Sequence, residues 1–169
     1  MNNKNIYTDI KDIFINEDEV ADFVNLDNSI TCYNKIVSAL KKPLKLILFY
    51  GKPGSGKTFL LNKIASDLQK DKKLIFFPHP FFSEATFIEA LCEDIYGNKL
   101  DNINNFESFV AYYSKEFKNK DEILQNQIVV ILDEAQLYPT ELIEKIRLMA
   151  DTRLFKFLFT IHKTENEDV

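Results

Sequence analysis

Leu44-Lys-Leu-Ile-Leu-Phe-Tyr-Gly51-Lys-Pro-Gly-Ser-Gly-Lys-Thr58 holds three of the chain's four glycines within its second half. The apolar run from Leu44 to Tyr50 reads as a buried strand, and the apolar-periodic segment from Thr58 to Leu68 reads as a helix. Between them, Gly51-Lys52-Pro53-Gly54-Ser55-Gly56-Lys57-Thr58 fits G-x-x-x-x-G-K-[ST], the phosphate-binding loop. A polyphosphate carries dense negative charge, and successive backbone N–H groups curled around it bind it without side chains. The curl requires backbone angles that a Cβ obstructs, hence glycine. The helix beginning near Gly56 adds unpaired N–H groups and the positive end of its dipole. Lys57 is expected to reach the β- and γ-phosphates and the Thr58 hydroxyl to ligate Mg²⁺. Phe59, the next residue, completes the expected nucleotide contacts.

The second chemical element is Gln127-Ile-Val-Val-Ile-Leu-Asp133-Glu134-Ala-Gln136. Its apolar core, largely β-branched, predicts a strand buried on both faces. Two carboxylates follow at the C-terminal end, where open parallel sheets bind ligands. Asp133 is expected to hold Mg²⁺, and Glu134 to orient and deprotonate the water that attacks the γ-phosphate. Alone, this pair would read as the cap of the next helix; with the glycine loop it reads as a site. A Ras-type GTPase would carry Asp-x-x-Gly here. Asn98-Lys-Leu-Asp101 imitates a guanine-reading motif, but it follows a helix and precedes the acidic strand, so it reads as a polar loop.

The 169 residues suffice for one domain with a sizeable core. An apolar share of 46% with 28% charged residues matches a globular soluble chain, and no apolar run reaches membrane-spanning length. The N-terminus lacks the apolar core of a secretory signal, so the expected compartment is the cytoplasm. Cys32 and Cys92 are isolated and read as reduced packing residues. A net charge of −5 argues against a broadly basic nucleic-acid surface, so direct DNA contact is not indicated.

Residues 1–27 read as a polar, acidic N-terminal arm, in which Asp22 to Leu26 are candidates to help form an adenine pocket. A helix starts at Asn28 or Ser29 with Ile30, Tyr33, Val37 and Leu40 on one face. Leu74 to Phe77 form a second strand, ended by Pro78-His79-Pro80, where His79 reads as a loop residue. Ser83 is an N-cap, Gly97 a C-terminal stop, and Phe87, Ile88, Leu91, Cys92, Ile95 and Tyr96 the stripe between them. A further helix is expected over about 105–118, extending toward Gln125 and burying Phe106, Phe109, Val110, Tyr113 and Phe117. Pro139 suits the first turn of a helix whose core face is Leu142, Ile143, Ile146, Met149 and Ala150. Leu154 to Ile161 form a fourth strand, and residues 165–169 an acidic tail. The order predicts a three-layer α/β/α domain over 28–164, a parallel sheet with helices on both faces.

Lys57, Asp133 and Glu134 in this order resemble an AAA+ (ASCE P-loop) ATPase. Asp133-Glu-Ala-Gln-Leu followed by a helix with Ile146-Arg-Leu-Met, and the proline-helix-glycine segment from Pro80 to Gly97, resemble the ExeA/GspA-like secretion and transformation ATPases and the related MuB/TnsC-type transposition regulators. The resemblance implies a fourth strand inserted between the phosphate-loop strand and the acidic strand. Its tip would then face the γ-phosphate with Thr160, His162 or Thr164, and His162 is preferred as the sensor. It also implies ATP and Mg²⁺ as cofactors, and a motor or switch subunit serving a secretion, DNA-uptake or DNA-processing assembly. Homo-oligomers, protein partners and recruitment to the inner face of the membrane belong to the same expectation. The family continues into a fifth strand, an arginine finger and a lid, whereas this chain stops just past the fourth strand and looks truncated. Arg147 and Arg153 precede that strand; Arg147 is expected at a subunit surface or against the acidic motif. Weak turnover by the isolated chain is therefore expected, and a nucleotide-gated adaptor with little hydrolysis is the alternative. A small-molecule kinase would need an arginine-rich lid, which two arginines do not make.

Overall fold

The computed structural model describes residues 29–68 and 73–162. The N-terminal arm, with its candidate adenine-pocket residues Asp22 to Leu26, lies outside these residues, as do Thr164 and the acidic tail. Four strands form one parallel sheet: β1 (Leu46–Gly51), β2 (Leu74–Phe77), β3 (Ile128–Leu132) and β4 (Phe155–His162), in the order β1-β4-β3-β2. The helices are α1 (Ser29–Lys41), α2 (Lys57–Leu68), α3 (Glu84–Tyr96), α4 (Phe106–Tyr113), α5 (Lys120–Gln125) and α6 (Thr140–Asp151). The last strand in sequence thus sits between the first and the third. Parallel neighbours require helical crossovers, and these place apolar side chains on both faces of the sheet.

The two-residue period of a strand divides the core into two layers. Ile47, Phe49, Val129, Ile131 and Leu158 pack on one side with Ile36 and Leu40 of α1 and Leu61 and Ile64 of α2. Leu48, Val130, Leu132, Phe157 and Phe159 pack on the other side with Phe87, Phe109, Leu142 and Ile146 of α3, α4 and α6. All five residues of β3 are buried. β4 is buried along its length up to His162, which is half-buried at the tip. Cys32 and Cys92 are buried in these layers as reduced thiols.

Local signals set several boundaries as read. The Ser83 side chain accepts from the Thr86 N–H, and Gly97 ends α3 at φ 78°, where its N–H reaches the Glu93 carbonyl. Others differ. Ile30 is 74% exposed, and the buried stripe of α1 is Cys32, Ile36, Ala39 and Leu40. Leu40 of the expected face is buried and Tyr33 packs against the same layer, while Cys32 and Ala39, small or sulfur side chains that a count of large apolar residues passes over, share the contact with Ile36. The helix expected over 105–118 ends at Tyr113 and passes through a 3₁₀ turn, Ser114–Glu116. Phe117 is extended, and α5 begins anew. Asn119 accepts from the Glu122 N–H (2.9 Å) while the Glu122 carboxylate accepts from the Lys118 N–H (2.8 Å), a reciprocal cap that starts a separate helix. Pro139 is not in the first turn of α6. It is the capping residue, in an extended conformation, and its carbonyl accepts from Leu142 and Ile143. Arg147 pairs with Glu144 and Asp151 of its own helix.

A buried lysine ties β4 to α1. Lys156 Nζ, 5% exposed, donates to the carbonyls of Leu40 (2.7 Å) and Lys42 (2.6 Å). The last carbonyls of a helix have no partner within it and carry the negative end of its dipole, so a cation there is favourable.

Candidate nucleotide-binding site

Strand order brings three strand tips together. In the β1–β4 register Gly51 faces His162, and in the β3–β4 register Leu132 faces Phe159. Asp133 therefore leaves β3 beside Thr160. Asp133 follows Val129 and Ile131 by the two-residue period, as Thr160 and His162 follow Leu158. All of them belong to the face of the sheet on which α2 packs. The first turn of α2, with Lys57 and Thr58, meets them there.

The loop from Gly51 to Thr58 is cradle-shaped. Gly54 and Gly56 adopt φ 72° and 86°, and a Cβ at either would meet nothing within 4 Å. Glycine is required by the left-handed backbone, and the space in front of the loop is open. Ser55 Oγ donates to the Lys52 carbonyl (2.6 Å), and the Leu60 N–H returns to the Gly56 carbonyl (3.0 Å), where α2 begins. By helix geometry the preceding N–H groups, including those of Lys57, Thr58 and Phe59, have no intrahelical acceptor. The Phe59 ring itself is 77% exposed.

Lys57 is buried, and its ammonium donates to the carbonyls of Gly51 (2.9 Å) and Lys52 (2.8 Å). Burial pushes it below the ordinary lysine range, and the charges of Glu134 and Asp133 oppose that shift. Thr58 Oγ1 donates to Asp133 Oδ2 at 2.7 Å, across 75 positions of sequence. The other oxygen of Asp133 accepts from the Thr160 hydroxyl and from the Glu134 N–H (3.0 Å). Asp133 is 1% exposed and Thr160 fully buried. An Asp carboxylate and a Thr hydroxyl beside an open cradle are hard oxygen donors of the type Mg²⁺ takes, so the residues present fit a Mg²⁺-bound nucleotide.

Glu134 has φ 57° and ψ 42°, left-handed for a residue with a Cβ. That conformation costs about 1–2 kcal/mol, and such residues concentrate at functional sites. It is held by the Glu134 N–H, which Asp133 and Thr160 Oγ1 (3.1 Å) both receive. One oxygen of the Glu134 carboxylate lies 3.0 Å from His162 Nε2, and the other accepts from the Gln136 side-chain amide. Gln136 Oε1 in turn accepts from the His162 backbone N–H (3.2 Å). His162, read as facing a phosphate, lies on Glu134 in this structure. Thr160, ranked below it, is bound to both carboxylate residues. Gln136 entered the sequence reading only as part of the Asp133-Glu-Ala-Gln stretch that carries the family resemblance, with no role assigned to it. His79 is exposed and joins the site through no side-chain contact among the described residues; its carbonyl receives the Tyr138 hydroxyl.

A parallel sheet with β4 inserted between β1 and β3, a glycine cradle after β1 and an acidic pair after β3 define a P-loop NTPase of the AAA+ superfamily. The chain matches the family of AAA domains over residues 40–168, and it belongs to that family. The chemistry of the family is nucleotide binding and hydrolysis. No curated protein matches the chain significantly.

Proposed function

We propose that this chain binds Mg²⁺·ATP and hydrolyses it as a motor or switch subunit of a larger secretion, DNA-uptake or DNA-processing assembly. The observation that carries the hydrolytic reading is the Thr58–Asp133 hydrogen bond beside the buried Lys57 ammonium, which joins the glycine loop to the acidic pair. The backbone of Gly51, Lys52, Pro53, Gly54, Ser55 and Gly56 would surround the phosphates. Lys57 would exchange its two carbonyl partners for phosphate oxygens, and Thr58 and Asp133 would hold Mg²⁺. The metal, when bound, neutralises charge building on the phosphate oxygens. Glu134 takes a proton from water; the water oxygen bonds to the terminal phosphorus, the bond to the bridging oxygen breaks, and ADP leaves with that electron pair. Thr160 keeps Asp133 and the Glu134 backbone in place, while His162 would sense the terminal phosphate. The assembly, its cytoplasmic setting and its recruitment to a membrane rest on the sequence resemblance alone.

The test pairs two variants. Glu134→Gln should abolish hydrolysis and leave Mg²⁺·ATP affinity intact, whereas Lys57→Ala should lose binding in calorimetry. Turnover surviving in Glu134→Gln removes Glu134 from the role of base. A second reading, a nucleotide-gated adaptor with slow turnover, is favoured by one observation: one oxygen of the Glu134 carboxylate accepts from Gln136 and the other has His162 Nε2 at 3.0 Å, so neither faces the cradle unattended. Undetectable cleavage of tightly bound ATP in a single-turnover assay would support that adaptor.

A further inference from the structure

We infer that Gln136 is a positioning residue that holds one oxygen of the Glu134 carboxylate, so that the oxygen now on His162 is the one that accepts the proton of water. The inference rests on the hydrolytic reading above. Its ground is the direction of the Gln136 amide. The His162 backbone N–H can only donate, so it fixes the amide oxygen toward β4. The amide nitrogen is thereby left facing Glu134, where it donates to Oε2. One side chain thus braces the tip of β3 against the tip of β4 and orients a carboxylate at the same time.

The two partners of Glu134 differ in what can release them. Gln136 lies two residues after Glu134 in the 3₁₀ turn Ala135–Leu137, so it moves with Glu134, and its second bond is to a strand backbone. His162 approaches Glu134 through a half-buried imidazole at the open end of β4, next to Gly51 in register. A phosphate in the cradle competes for that imidazole and does not compete for the Gln136 amide. A carboxylate released by both partners would rotate freely and lose its aim. Misorientation of a catalytic group by about 1 Å is worth about 10²-fold in rate.

The experiment uses the full chain with Gln136→Glu and Gln136→Leu. Glu keeps the acceptor for the His162 N–H and loses the donor to Glu134; Leu loses both. Mg²⁺·ATP affinity by calorimetry should stay within about 2-fold of the parent in each, because among the described residues the Gln136 side chain bonds to Glu134 and His162 and not to the glycine loop, while single-turnover cleavage should fall by about 10- to 100-fold in both. Parental cleavage in Gln136→Glu overturns the inference, and so does an affinity loss as large as the rate loss. Amide hydrogen exchange at His162, which needs no turnover, should quicken in Gln136→Leu and stay slow in Gln136→Glu; unchanged exchange in Gln136→Leu removes the brace. A parent that binds Mg²⁺·ATP without cleaving it ends the hydrolytic reading instead, and the exchange arm still decides the brace.

Discussion

Thr160→Val is the sharpest probe of how the acidic pair is built. Valine matches threonine in shape, so the fully buried site gains no cavity. What disappears is the hydroxyl, which donates to Asp133 Oδ1 and accepts from the Glu134 N–H at 3.1 Å. Neither partner is orphaned: Asp133 keeps Thr58 Oγ1 at 2.7 Å, and the Glu134 N–H keeps Asp133 Oδ1 at 3.0 Å. The cost is therefore that of one buried hydrogen bond to a charged group plus one weak neutral bond, about 2–3 kcal/mol. It stays below the 3–5 kcal/mol typical of stranding a buried charge, roughly. For a chain of this size the melting temperature should fall by about 5–10 °C. Urea denaturation should show a lower midpoint at an unchanged slope. Thr160→Ser retains the hydroxyl and should lose only about 1 kcal/mol with its methyl group. A Thr160→Val protein within about 0.5 kcal/mol of the parent, or a serine variant as unstable as valine, would refute the reasoning, since the hydroxyl is then not what holds Asp133.

Other outcomes follow from the same structure. Lys156→Met fills the space of the lysine stem but removes the donors to the Leu40 and Lys42 carbonyls, and should destabilise the fold by about 2 kcal/mol in urea titration; a variant as stable as the parent would show that the end of α1 needs no cation. Stability should fall as pH rises from 10 toward 12. Burial pushes the Tyr113 phenol up to about 12 from 10.0, so the folded protein keeps a proton that the unfolded chain gives up. Tyr138 is raised by burial and by the charge of Asp133, so it acts in the same direction. Tyr113 alone accounts for about 2–3 kcal/mol lost across that window, and tyrosinate absorbance should appear together with unfolding; a protein that ionises its buried tyrosines while folded would contradict this. Phe157→Ala, at a fully buried position in the centre of β4, should cost about 3–5 kcal/mol by calorimetry.

Much of the fold was legible because its strands are continuous apolar runs and its helices carry capping residues. Leu74 to Phe77 was read without error, and the core face of α6 is Leu142, Ile143, Ile146, Met149 and Ala150 as expected. The break after Tyr113 was not legible. Aromatic spacing continues through Phe117, and only the cap around Asn119 and Glu122 ends the helical reading. On α1 the expected Leu40 is buried and Tyr33 packs against the core, but Ile30 is exposed and Cys32, Ile36 and Ala39 share the buried face, which a count of large apolar residues alone does not reveal.

The glycine loop was local information: positive φ at Gly54 and Gly56 and a lysine one residue on are properties of eight consecutive residues. So was the acidic pair at the end of a buried strand. What sequence left open was which side chains those two pieces would share. Insertion of β4 between β1 and β3 is a tertiary event, and it alone sets Thr160 against Asp133 and His162 against Glu134. Gln136 acquires a partner on β4 because β4 runs on past Phe159, the register partner of Leu132 at the end of β3, as far as His162. The left-handed Glu134 belongs to the same level: no residue preference calls for it, and the hydrogen bonds of its N–H to two other strand-end residues hold it there.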